Sequence, residues 1–192
     1  LSHTVVEIHG NERLTGVTIA KVDEKRKPIP GSYEYIPCDT LLLSVGLIPE
    51  NELTREAGIE ISRITNGAEV NQDRETSVEG IFACGNVLHV HDLVDYVSKE
   101  AEIAGEGAAY YIKGERKNNT DIKLYTDGKV RYTVPSKITE EKDVSVYFRV
   151  SDVYKNAELK VSGEKGILFT KRLRRAAPGE MESVNLTKEM LS

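Results

Sequence analysis

His89 and His91, with Asp92 and Asp95 close behind, form a dense group of chemistry-bearing side chains. Alternate imidazoles beside carboxylates can bind a transition ion or carry a proton. No third ligand stands at a standard metal spacing, so no metal is expected here. Asp92 is expected to cap a helix that follows it. Just upstream, the apolar run Ile81-Phe82-Ala83-Cys84 stops at Gly85-Asn86. A glycine at such a break permits a sharp bend or a close approach to a ligand, and by itself it also suits a plain turn. Cys38 and Cys84 are far apart, and neither belongs to a Cys-x-x-Cys. That spacing argues against a stapled secreted scaffold and against a dithiol within one motif; it suits a reducing cytoplasm. Both cysteines are expected to be small buried hydrophobes.

The elements that position these residues follow from apolar periodicity. Thr4 to Ile8, Gly16 to Val22 and Tyr33 to Ile36 read as an antiparallel three-stranded meander, with Gly10-Asn11 as a turn. Leu41 to Val45 is apolar on both faces, the pattern of a central covered strand. Asn51 is a candidate helix cap, with Gly58 as the stop. Ile59 to Ile61 and Ile81 to Cys84 read as short strands. From Asp92 to Ile112 the spacing turns helical, with Leu93, Val97, Ala101, Ala104, Ala108 and Ile112 on one face. Small residues from Ala101 onward make the second half of that helix thin.

Residues 1–113 carry 10 Lys/Arg against 19 Asp/Glu, and residues 114–192 carry 16 against 12. The step coincides with the polar stretch Lys113 to Thr120, which marks a boundary. An overall charge of −5 argues against general nucleic-acid binding. No apolar run approaches the roughly 18 residues of a membrane span. Beyond the boundary the period becomes two. Strands are expected near 121–125, 129–134, 144–150, 157–161, 167–173 and 182–187, with turns at Asp127-Gly128 and Ser162-Gly163. Six strands in so short a stretch imply a small antiparallel sandwich of immunoglobulin-like size. Lys25-Arg26-Lys27 and Lys171-Arg172-Leu173-Arg174-Arg175 read as solvated; the second, at a strand end, could instead dock an acidic surface.

Two segments resemble the FAD-dependent pyridine nucleotide-disulfide oxidoreductase family. Cys38 to Asn51, a strand followed by Gly46 and Pro49-Glu50-Asn51, is similar to the family's crossover from the NAD(P) domain back to the FAD domain. Thr76 to Asn86 is similar to its second FAD fingerprint, a Thr-containing turn and a short strand ending in Gly-Asp, with Asn86 here in place of the acid. The resemblance covers roughly residues 1–113. It implies an α/β fold: a partial FAD/NAD(P)-binding Rossmann-like region with the meander, plus the C-terminal β-sandwich. It implies 1–48 as the end of the NAD(P)-binding domain and 49–115 as the C-terminal part of the FAD-binding domain, leaving 120–192 as the sandwich. The implied cofactors are FAD and NAD(P), and the implied cofactor-binding residues are Gly46, Pro49, Gly85, Asn86, Asp92, Leu93 and Val94. Leu93 and Val94 act through backbone N–H groups at a helix start, which favour the negative charge of reduced flavin. His91 is a hypothetical proton donor or flavin contact.

A glycine-rich Gly-x-Gly-x-x-Gly turn following a strand is missing from this sequence. The chain begins Leu-Ser-His, and the apolar pattern starts at Val5. It therefore reads as part of a longer protein, expected to bind FAD weakly or not at all alone. The expected function is hydride transfer between NAD(P)H and an acceptor through flavin, with a small-molecule redox substrate and a partner subunit or second copy. The alternative is a non-catalytic docking module that keeps a degenerate flavoprotein remnant.

Overall fold

A computed structural model describes residues 2–44, 46–115 and 119–192. The chain divides into two compact units, Leu1–Gly46 and Leu47–Ser192.

The first unit is the expected meander. Strands β1 (His3–His9), β2 (Gly16–Lys21) and β3 (Glu34–Pro37) pair antiparallel in the order β1-β2-β3. Gly10 turns with φ +114°, where a Cβ would lie 2.0 Å from the Arg13 carbonyl oxygen, so only glycine fits. Asp23 closes the β2–β3 loop by accepting the Lys25 and Lys27 N–H groups. Leu41 to Ser44 is not the central strand that its apolarity implied: it has no ladder, and Leu42 and Leu43 are exposed. Val45 lies outside the described residues. A covered strand needs flanking strands on both sides, and no strand pairs with this segment among the described residues.

The second unit starts with the short helix α1 (Glu52–Glu56). The expected strands at 59–61 and 81–84 shrink to the isolated bridges Ile61–Ala68 and Glu75–Phe82. A 3-10 turn at Gly85–Val87 leads to helix α2 (Val94–Lys113). Gly114, at φ +68°, ends α2 in the left-handed conformation, its N–H satisfying a last-turn carbonyl. The thin half of α2 serves close packing, as expected. Gly107 is buried where a Cβ would lie 2.5 Å from the Asp73 carbonyl oxygen. The buried face differs from the apolar reading, though. It runs through Glu100, Ala104 and Gly107, while Leu93 and Ile112 are exposed.

The remaining strands are β4 (Ile122–Lys123), β5 (Val130–Val134), β6 (Lys137–Ile138), β7 (Val144–Val150), β8 (Tyr154–Gly163), β9 (Gly166–Ala176) and β10 (Glu182–Leu186), followed by helix α3 (Lys188–Leu191). They form a three-stranded sheet β10-β7-β5, a short β4-β6 ladder and the long hairpin β8-β9. All six expected strands form; β6 and α3 were missed because each spans under five residues. The hairpin turn is Glu164-Lys165 between the paired Gly163 and Gly166, two residues beyond the expected Ser162-Gly163. The basic run 171–175 lies within β9 rather than at a strand end. Val144, Val146, Phe148 and Val150 of β7 pack with Leu173 of β9 and Val184 and Leu186 of β10 into one apolar core.

A second, smaller core joins this β-rich part to the segment before α2. Ile59, Ala68, Val70 and Leu88 pack with Val134 of β5. Polar links reinforce it: Thr139 N–H donates to Gln72 Oε1 at 2.8 Å, Ser136 N–H to the Val70 carbonyl at 3.1 Å, and Lys142 pairs with Asp73. No helix among the described residues is long and apolar enough to cross a membrane.

Candidate functional site

The sharp bend after Cys84 organises the site. Gly85 is buried with φ +76°, a conformation that disfavours any side chain. Its N–H donates to Glu100 Oε2 at 2.7 Å, so α2 holds the bend from one turn and a half inside the helix. Glu100 is fully buried, which is tolerable only because donors from three segments meet its carboxylate. Arg74 Nε donates to Oε1 at 3.0 Å, and His91 Nε2 meets Oε2 at 2.9 Å. His89 Nε2 stands 3.5 Å from Oε1, too far for a good hydrogen bond.

Arg74 is itself placed with strain. Its φ is +66° at 1% exposure, in a tight loop where Asn71 Oδ1 accepts the N–H groups of Asp73 and Glu75. Burial alone raises the Glu100 carboxyl, but His89, His91 and the Arg74 charge together outweigh it and hold the group below the usual carboxylate range. Burial lowers His89 from its ordinary value despite Glu100, favouring the neutral imidazole. Burial, then the Glu100 charge, raises the Cys84 thiol. Both cysteines are half-buried free thiols rather than fully buried hydrophobes.

The β-rich part walls this cluster. Tyr132 of β5 crosses the His89 ring edge-on at 5.8 Å between centroids, with its hydroxyl 3.5 Å from Nδ1. Tyr147 of β7 packs against both imidazoles, and Tyr96 of α2 stacks on His91. Among the described residues His89 Nε2, His91 Nδ1 and Arg74 Nη2 are buried without a hydrogen-bond partner.

Each residue expected at the site has a definite place. Gly46 ends the first unit with φ +86° and open space where a Cβ would stand. Pro49 is half-buried in the second unit. Asn51 holds the N-cap position of α1, as expected, but its side chain makes no capping hydrogen bond. Its Nδ2 instead donates to the carbonyls of Asn66 at 2.9 Å and Val87 at 2.8 Å, tying the 49–51 segment to the 3-10 turn. Asn86 is exposed, and its Oδ1 accepts the His91 N–H at 3.1 Å. Asp92 is not the N-cap of α2; Leu93 holds that position without a side-chain hydrogen bond. The Asp92 carboxylate is drawn away by the β-rich part, pairing with Arg149 and accepting the Met181 N–H at 2.6 Å. Leu93 and Val94 lie exposed at the start of α2, 55% and 74% respectively.

The structure thus gathers Gly85, Asn86, His91, Asp92, Leu93 and Val94 around one bend and one helix start. Glu100 and Arg74 were missed. Glu100 lies nine residues beyond His91, on a helix face that its charge assigned to solvent, and Arg74 sits in the polar run Asn71 to Glu75. The available signal was the mismatch on α2, where the residues that would share an apolar face with Ala104 and Gly107 include an acid.

The pyridine nucleotide-disulphide oxidoreductase family profile matches residues 1–108, more than half of the chain. The chain belongs to this family. As a family member it is 33% identical over 85 residues to a probable ferredoxin reductase, CtmF, of Castellaniella defragrans, a match covering 42% of this chain and 20% of that protein. It is 30% identical over 115 residues to the hydrogen cyanide synthase subunit HcnB of Pseudomonas aeruginosa, covering 58% and 24%. It is 30% identical over 120 residues to the glutamate synthase [NADPH] small chain of Halomonas elongata, covering 56% and 25%. This oxidoreductase-family chain therefore spans a fifth to a quarter of the length of these curated relatives.

Proposed function

We propose that the chain is the C-terminal part of an FAD-dependent oxidoreductase that moves a hydride between NAD(P)H and a small-molecule acceptor. The observation that carries this reading is the Gly85 bend held beside the uncapped start of α2. The residues present fit a flavin edge there. Gly85 keeps side-chain bulk out of the bend, and the exposed Leu93 and Val94 offer apolar surface next to the first N–H groups of a helix with no side-chain cap.

Bound FAD supplies the hydride acceptor and donor of the reaction. This chain's residues orient it and tune its charge. The first N–H groups of α2 favour negative charge at their end by about 0.3–1 kcal/mol each when exposed, and more when buried. Asn86, whose Oδ1 is engaged by His91 N–H, retains its NH2 as a donor for a ribityl hydroxyl. Asp92, locked to Arg149 and Met181, sets where α2 begins. Gly46 and Pro49 shape the crossover segment. Buried against Glu100, His91 acts through the position of the bend and hands no proton directly to a ligand.

In this reading residues 1–48 close an NAD(P)-binding domain, 49–115 belong to the FAD-binding domain, and 120–192 form a small immunoglobulin-like sandwich. Support for the sandwich is the core that β7 and β10 share with β9. A cytoplasmic home and a partner subunit or second copy belong to the same proposal.

The test uses the full-length protein that carries this chain. It should purify with flavin absorbance. Val94→Pro should then keep the fold, since proline suits the first helical position and Leu93 is already extended. It deletes one donor, so the flavin reduction potential should fall. A folded, colourless full-length protein overturns the reading in favour of a docking module; an unchanged potential in Val94→Pro removes the role given to the helix start.

A further inference from the structure

We propose that His89, His91 and Glu100 form a binding site for one divalent first-row transition ion of the zinc class, independent of the flavin reading. Their ligand atoms all lie within 4.8 Å of one another, and all three residues are buried. Each histidine stands from one Glu100 oxygen at close to the spacing of two ligands on a common ion. Donors about 2.0–2.1 Å from a tetrahedral metal stand roughly 3.3 Å apart. His91 Nε2 lies 2.9 Å from Glu100 Oε2, and His89 Nε2 lies 3.5 Å from Oε1.

The second contact is informative because it is a poor hydrogen bond between fully buried groups. Among the described residues His89 Nε2 has no hydrogen-bond partner, yet it faces the carboxylate from 1% exposure. A buried polar atom left in that state is costly. An ion between the three side chains satisfies it. The same ion takes the place of the hydrogen that His91 shares with Glu100, whose proton then moves to His91 Nδ1.

The surroundings supply part of what such a site needs outside its ligands. The Tyr132 ring packs edge-on against His89 and limits that ring's rotation, with its hydroxyl on the Nδ1 side, away from Nε2. Arg74 Nε and the Gly85 N–H both donate to the Glu100 carboxylate and fix its plane. Two imidazoles and one carboxylate favour zinc, iron(II) or their neighbours over calcium or magnesium, which prefer oxygen. Three protein ligands leave a fourth position for water or an anion, and the positive Arg74 guanidinium favours an anion there.

The experiment is a Zn²⁺ titration of the full-length protein after chelator treatment, with metal analysis of the untreated protein. The expected result is one equivalent per chain. His89→Gln and His91→Gln should each weaken binding at least about 10-fold, and Tyr132→Phe by roughly 10-fold, the range for outer partners. His9→Gln, at the end of β1, should change nothing. Absence of a stoichiometric site, or a site whose affinity survives His89→Gln and His91→Gln together, overturns the proposal. Should those variants not fold, Co²⁺ added to the unaltered protein decides it. A tetrahedral nitrogen- and oxygen-ligated visible spectrum supports the site, and lack of one sinks it. Flavin content read in parallel separates this outcome from the fate of the flavin reading.

Discussion

The second unit holds two interiors of opposite character. Between β7, β9 and β10 the buried side chains are apolar, with Phe148 at 2% exposure and Ile138 at 0% close by. Behind the Gly85 bend the interior is as dry but polar, built from Arg74, His89, His91 and Glu100. The apolar core needs only shape and volume, so many side chains can serve in it. The polar core works only when each member faces its partner, because a buried charge left alone costs far more than a lost methyl group. Through the Glu100 carboxylate this polar interior holds the backbone at Gly85.

The largest expected effect comes from breaking the polar interior. Glu100→Leu strands Arg74 and should cost about 3–5 kcal/mol in urea denaturation. The double variant Arg74→Met/Glu100→Leu should regain much of that loss. A double variant as unstable as the single one would contradict the view that the stranded charge, and not lost packing, drives the effect. Next is Asn51→Ala. It leaves the Asn66 and Val87 carbonyls without their donor and should cost about 1–3 kcal/mol, with faster amide exchange around the 3-10 turn. In the apolar core, Phe148→Leu should cost less than about 1.5 kcal/mol, since hydrophobic side chains can repack. A cost matching that of Glu100→Leu would erase the contrast between the two interiors. Smallest is Arg175→Ala, which removes an exposed pair with Glu180 and should move stability by under about 0.5 kcal/mol.

The strands of the β-rich part and the meander were legible because each finds its partner within a short stretch of chain. The hairpin β8-β9 is the clearest case, with alternating side chains and a two-residue turn. The segments 41–44 and 81–84 read equally well as strands, but they form none, since the neighbours their pattern calls for are not supplied by pairing among the described residues. Helix α2 was legible in extent through its spacing, yet its buried face was misjudged at Glu100. A hydrophobicity pattern assigns an acid to solvent, and nothing local to residue 100 reveals the three donors that meet it.

The sequence by itself determined the family-like bend at Gly85-Asn86, the helix that follows, the meander and the alternating strands of the C-terminal part. All of these are local: a glycine's conformational freedom or a repeat of side chains along one segment. Only the tertiary structure decided that Glu100, Arg74, His89 and His91 share one dry interior, and that Asp92 serves Arg149 instead of capping α2. Those outcomes depend on which donors distant parts of the chain bring to a carboxylate, and burial makes that choice binding.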